Sequence, residues 1–192
     1  MTSERKGRTP GQPTDTTDIS ESEYKRILMS LVEHWRLFFE LLWESGVRVG
    51  EALAIKKSDL ENNGVWITRE KRRDHPRDFI GLSSGLFIRL KIYASHFKGI
   101  MLFPYTASAA WLALKKAAKA AGIKRNIHPH SFRHAFGYRA INLKLGDDVS
   151  AANQLGIVQR MMGHTRQTST LVYTKPRQED VDEAFKRMNQ ER

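Results

Sequence analysis

The chain has 192 residues, 40% of them hydrophobic, with 32 Lys and Arg against 21 Asp and Glu for a formal charge of +11. That length suits one sizeable domain, or one domain and a tail, and so large a positive surplus makes a polyanion the natural partner, nucleic acid ahead of a membrane surface. Zero cysteines exclude disulfides, thiolate chemistry and cysteine-bound zinc; no apolar run approaches the roughly 20 residues of a membrane span and no signal-peptide core opens the chain, which points to a cytoplasmic protein.

Residues 1–19 (MTSERKGRTPGQPTDTTDI) are polar, lack an apolar period and are expected to form a flexible leader. Order should begin near Ser20, where Ser20 and Glu23 have capping-box spacing ahead of Ile27, Leu28 and Leu31. The run RLFFELLWES is apolar nearly all round, as a central buried helix would be, with Gly46 as its stop. A short helix follows over Arg48 to Ile55, and then the texture changes. GVWIT (Gly64 to Thr68) and FIGL (Phe79 to Leu82) flank the charged tip REKRRDHPRD, which predicts a β-hairpin. Helical periodicity returns in SSGLFIRLKIYASHF and in TASAAWLALKKAAKAAG, which Gly122 can close. Further helices are expected near 130–144, 153–162, 166–173 and 178–190, giving a mainly α fold with one small antiparallel β-sheet.

Three segments carry chemistry. GVRVGEAL supplies Arg48, HPHSFRHAF supplies Arg133, and GHTRQTSTLVYT supplies Tyr173. A guanidinium fork pairs with two phosphate oxygens at once and keeps its charge at any working pH, so two of them suit a phosphoryl group on which charge builds. A phenol can serve as the nucleophile. His128, His130 and His134 form a cluster in which His130 and His134 are spaced i,i+4, but no Glu stands in an HExxH frame and no Cys can help, so neither a metal nor any other cofactor is expected.

With these motifs placed in order, the chain resembles the catalytic domain of the tyrosine recombinases. Arg48 with Glu51 fits an R-x-x-E box, Lys71 falls on the hairpin, His130 with Arg133 gives HxxR, Gly163 with His164 gives GH, and Tyr173 lies nine positions beyond His164. The resemblance covers roughly residues 20–190. It implies a site-specific recombinase or integrase acting on double-stranded DNA. Tyr173 would attack the scissile phosphorus to leave a 3′-phosphotyrosine and a free 5′-hydroxyl, without ATP. Arg48, Arg133 and His164 would hold the non-bridging oxygens with no metal required, Lys71 would protonate the leaving 5′-oxygen, and His130 would accept the tyrosine proton or assist the phosphate contacts. Glu51 is expected to orient the other side chains without touching substrate.

Arg69, Arg72 and Arg73 on the hairpin tip, with Lys124, Arg125, Lys115 and Lys116, are further candidates for DNA-backbone contact, though each also reads as a solvated charge. Two departures from the family pattern stand out. The 34 positions between His130 and His164 are longer than expected, with LKLGDDVSAANQL as an apparent insertion. Residues 1–19 are not expected to replace the amino-terminal domain that clamps the far side of the DNA in most members, so the sequence reads either as a catalytic fragment or as a short enzyme like the fimbrial-switch invertases, and either predicts weakened, salt-sensitive DNA binding. The closing segment KPRQEDVDEAFKRMNQER has Val181, Ala184, Phe185 and Met188 on one helical face; the resemblance implies that it docks on a neighbouring copy in a cyclic tetramer on paired sites, with docking on its own core as the alternative. The alternatives are type IB topoisomerase-like relaxation, or a DNA-binding regulator without catalysis. The resemblance suits a prokaryotic, viral or plasmid-encoded protein.

Overall fold

Ser20 starts α1 (Glu21–Met29) through the expected capping box, its backbone N–H donating to Glu23 Oε2 at 2.9 Å while its Oγ accepts from the Glu23 N–H at 3.2 Å. The computed structural model describes residues 19–69, 76–96, 98–143, 150–164, 168–174 and 186. Ile19, assigned above to the leader, is only 3% exposed and belongs to the core, so packing begins one residue earlier than expected.

Helix α2 (Glu33–Ser45) is the central element. Leu37, Phe38, Phe39, Leu41 and Leu42 are all buried, each worth about 1.5–3 kcal/mol in apolar burial. Gly46 ends it in the left-handed region at φ 62°, and a Cβ there would lie 2.3 Å from the Phe136 ring. Both the backbone angle and the close packing require glycine. The short helix α3 (Val49–Leu53) follows, with Arg48 at its N-cap.

The sheet has three antiparallel strands in the order β1 (Leu60–Glu61), β2 (Gly64–Thr68), β3 (Arg77–Gly81). The β2–β3 pair is the expected hairpin, in register through Val65 opposite Ile80 and Ile67 opposite Asp78. Val65 and Ile67 face the core, while Trp66 and Phe79 meet on the other face at 5.3 Å between ring centres. Strand β1 was not expected. It is joined to β2 through Asn62 and Asn63, both at positive φ (49° and 54°), a two-residue reversal whose twist suits a hairpin and which Asn tolerates better than most residues.

Ser83 and Thr106 cap α4 (Ser84–Ser95) and α5 (Ala107–Ala120), and Gly122 follows α5 at φ 72°. Pro129 opens α6 (Pro129–Ile141) in the first turn, where its missing N–H costs nothing. Helix α7 spans Ala151–Met161, and α8 (Thr168–Leu171) runs into a 3-10 turn at Val172–Thr174. Within the presumed insertion LKLGDDVSAANQL, residues 144–149 lie outside the described residues, while Ala151 to Leu155 belong to α7. Ser150 caps α7, accepting from the Asn153 N–H at 3.3 Å, so Ala151 to Leu155 are its first turn, and Gln154 Nε2 donates to Leu143 O at 2.7 Å to tie that turn to the end of α6. Residues 178–185 and 187–190 of the expected last helix lie outside the described residues.

Helix α6 divides two apolar clusters. Its Phe132 and Ala135 complete the main core built on α2, whereas Phe136 and Ala140 pack with Val158, Met162 and Tyr173 in a smaller one. Arg133 lies on the same helix, 2% exposed.

Candidate active site

Arg48 is fixed by its own helix start. Its backbone N–H donates to Glu51 Oε2 at 2.9 Å and its Nη1 to Oε1 at 2.8 Å, while its side chain stays 23% exposed. Glu51 is 1% exposed, and its Oε2 also receives Arg69 Nη1 at 3.3 Å. One buried carboxylate thus holds two guanidinium groups and offsets their repulsion.

Arg133 is anchored on backbone. Nη1 donates to Gly46 O and Nη2 to Met162 O, each at 2.6 Å, which joins the ends of α2 and α7 through α6. Burial, then the Arg48 charge, lower its pKa to about 10, partly offset by Glu51, so the guanidinium remains charged near neutrality.

Beyond α7, Gly163 turns the chain at φ 60° and presents His164, whose N–H donates to Gln159 O at 3.0 Å. His164 Nδ1 pairs with the hydroxyl of fully buried Thr170 at 2.9 Å. Burial, then the Arg133, Arg48 and Arg69 charges, depress its pKa from 6.5 to about 4, and the imidazole is neutral at pH 7. The Tyr173 ring lies parallel to it, 6.2 Å between centres and 9° between planes, and is 8% exposed. Gly137 on α6 makes room for that ring, since a Cβ there would lie 2.7 Å from both Cε2 and Cζ. On the other side His134 meets Tyr173 edge-on at 5.7 Å, and His130 meets His134 at 4.7 Å. His130 is also lowered to about 4, by burial first and then by His134 and Arg133.

Arg48, Glu51, His130, Arg133, His164 and Tyr173 are therefore brought to one place from four separate elements. Lys71, Arg72 and Arg73 lie outside the described residues. Arg69 does not occupy the surface position expected for a DNA contact. It is 1% exposed, with Nε on Asp78 Oδ2 at 2.8 Å and Nη2 on Met161 O at 3.1 Å in addition to Glu51. Arg125 likewise faces protein. Its Nε and Nη2 reach Glu23 at 3.1 and 2.7 Å, and this bond to Arg125 is the main cause holding the Glu23 carboxyl down at about 2. Lys124 and Lys116 are exposed, and Lys115 lies over the Trp111 ring at 4.9 Å. Thr170 and the place of His134 against Tyr173 were not foreseen. The i,i+4 spacing of His130 and His134 was the available signal for the second, and Thr170 had none. Among the described residues, no group of three or more His, Asp or Glu is placed to hold a metal ion, and no helix is long and apolar enough to cross a membrane.

The phage integrase family pattern matches residues 17–180, most of the chain. The chain belongs to the phage integrase family. This member is 28% identical over 151 residues to the tyrosine recombinase XerD of Corynebacterium glutamicum, covering 72% of this chain and 47% of the relative. It is 24% identical over 182 residues to the tyrosine recombinase XerA of Pyrococcus horikoshii, covering 88% and 60%. It thus spans about half to three-fifths of the length of these relatives. Among solved structures, a XerA recombinase crystal structure superposes with a TM-score of 0.73 at 21% identity, over 94% of this chain and 67% of that one. The lambda integrase catalytic core gives 0.61 at 18%, over 78% and 92%. The mainly α fold with its small antiparallel sheet is the fold of these catalytic domains.

Proposed function

We propose that this integrase-family chain cleaves and rejoins DNA strands at specific sites through a phosphotyrosine on Tyr173. The observation that carries the reading is the convergence of four groups: His164 lies parallel to the Tyr173 ring, Arg133 feels the charges of both Arg48 and Tyr173, and Arg48, Arg133 and His164 are each held by protein groups before any substrate arrives. Preorganised donors aimed at developing charge are the most effective stabilisers of a phosphoryl transition state. The Tyr173 oxygen forms a bond to phosphorus as the bond from phosphorus to the 5′-oxygen breaks, leaving a 3′-phosphotyrosine. Arg48 and Arg133 grip the non-bridging oxygens, and a guanidinium has donors enough to keep its protein bonds as well. With the Thr170 hydroxyl donating to Nδ1, His164 presents Nε2–H to the same phosphoryl group. Lys71 delivers the proton to the departing oxygen. His130 is neutral, and a bound phosphate raises its basicity by opposing the cations around it, which suits it to receive the tyrosine proton.

Attack by a second strand's 5′-hydroxyl on the phosphotyrosine reseals DNA without ATP. Recombination needs several copies on paired sites. Related folds support that reading: XerH is described bound to its difH substrate, and lambda integrase as a tetramer on a Holliday junction. The test is a nicked suicide duplex, or supercoiled plasmid, incubated with wild type and Tyr173→Phe in EDTA. A covalent adduct formed by wild type and lost in the variant supports the reading. Binding without adduct would favour a regulator, and relaxation without strand exchange would favour a topoisomerase.

A further inference from the structure

We infer that Arg69 is a positioning residue that couples the hairpin bearing Lys71 to the turn bearing His164, so that the proton donor and the phosphate grip are set together; this rests on the strand-cleavage reading above. Arg69 directly follows β2, its N–H donates to Pro76 O at 3.0 Å across the mouth of the hairpin tip, and Lys71 is two positions on in the sequence. Its guanidinium reaches three elements at once: Asp78 on β3, Glu51 on α3 and Met161 O at the end of α7. Burying a cation this deeply is costly unless it is paired, and two carboxylates pair it here. Arg69 and Arg133 take the successive carbonyls of Met161 and Met162, which are among the acceptors that a helix end leaves without intrahelical partners. The turn to His164 starts from those two bonds. Gly163 completes the fit, because a Cβ there would stand 2.8 Å from Arg69 Nε. The glycine before His164 is thus required by the arginine beneath it as well as by its positive φ. Lysine, a point charge without the planar fork, cannot span three acceptors on three elements.

The consequence falls on the leaving group. As the bond from phosphorus to the 5′-oxygen breaks, that oxygen must gain the Lys71 proton, and a hairpin loosened from Arg69 misaims it. If the bridging 5′-oxygen is replaced by sulfur, the same attack expels a thiolate that leaves without a proton, so acid placement ceases to matter. Single-turnover adduct formation is measured on oxygen and 5′-bridging phosphorothiolate duplexes for wild type, Lys71→Ala, Arg69→Met and Asp78→Ala. The Asp78 side chain is 33% exposed, so its variant cuts one Arg69 bond without opening the core. On oxygen, Arg69→Met should be slowed roughly 100-fold and Asp78→Ala roughly 10-fold, within the span of general-acid contributions; on sulfur Asp78→Ala should return to within about twofold of wild type, as Lys71→Ala does, while Arg69→Met, which also frees the turn to His164, should regain roughly tenfold and keep the rest of its loss. Equal losses on both duplexes, in Asp78→Ala alone if Arg69→Met does not fold, would overturn the inference and leave strand cleavage standing. No wild-type adduct on either duplex would overturn the cleavage reading and this inference with it.

Discussion

The two sides of α6 pack against apolar clusters of very different size. Toward the main core, the helix packs Phe132 and Ala135 against α2, and the cations there are locked by a buried carboxylate and by backbone carbonyls. Toward the smaller cluster, Phe136 and Ala140 face Val158, Met162 and Tyr173, the proposed nucleophile, which is seated in a notch that only glycine at 137 leaves open. The cations proposed to receive the phosphate are held by Glu51 and by backbone carbonyls beside the larger cluster, whereas Tyr173 rests on the smaller one. Under the strand-exchange proposal, a nucleophile that carries a DNA strand gains from the smaller cluster, while donors that must not reorganise gain from the larger one.

Arg133, the bolt between the two sides, should show the largest effect. Arg133→Ala strands the Gly46 and Met162 carbonyls and removes a phosphate donor, so adduct formation should fall roughly 10³-fold and stability by about 2–4 kcal/mol, read from single-turnover assays and urea melts. The contrast in cluster size is sharpened by one truncation on each side. Phe38→Ala in the main core should cost about 3–5 kcal/mol, and Phe136→Ala in the smaller cluster about 1–3 kcal/mol, with cleavage by the folded fraction slowed more by the second. The opposite order in both readouts would break the comparison. Gly137→Ala gains about 1 kcal/mol of helix propensity yet pushes into the Tyr173 ring. Its stability should stay within roughly 1 kcal/mol of wild type while cleavage drops about tenfold or more.

The smallest effect is in pH. His164 and His130 are held near 4 in the folded protein against an ordinary 6.5, so between those values the unfolded chain binds more protons than the folded one. Stability is therefore full above about pH 6.5 and is lost as pH falls toward 4. In His164→Gln this acid slope should be shallower, as followed by thermal melts across that range.

Much of this was legible in the chain. The capping box at Ser20, the all-round apolar run of α2 and the stop at Gly46 are local signals, and local geometry repeats them. The segments around Arg48, Arg133, His164 and Tyr173 carry motifs whose order survives as proximity. What was misread depends on neighbours far away in sequence. Arg69 stands in a run of charges and looks solvated, and only Glu51, Asp78 and the end of α7 make it a core residue. Arg125 likewise pairs with a residue far away in sequence, Glu23, its side chain 26% exposed. Strand β1 has two residues, too few for any period to show, and depends on the Asn62–Asn63 reversal. Helix α7 begins at Ala151, two residues ahead of the expected 153, because Ser150 is an ordinary helix cap.

The central claim is that Tyr173 is the atom-bearing link between protein and DNA. Its most direct test is to trap the adduct on a suicide duplex, digest both protein and DNA, and locate the residual nucleotide by tandem mass spectrometry. The account predicts a nucleotide 3′-phosphate on the Tyr173 oxygen. A nucleotide on any other side chain, or one joined through its 5′-phosphate, would contradict it.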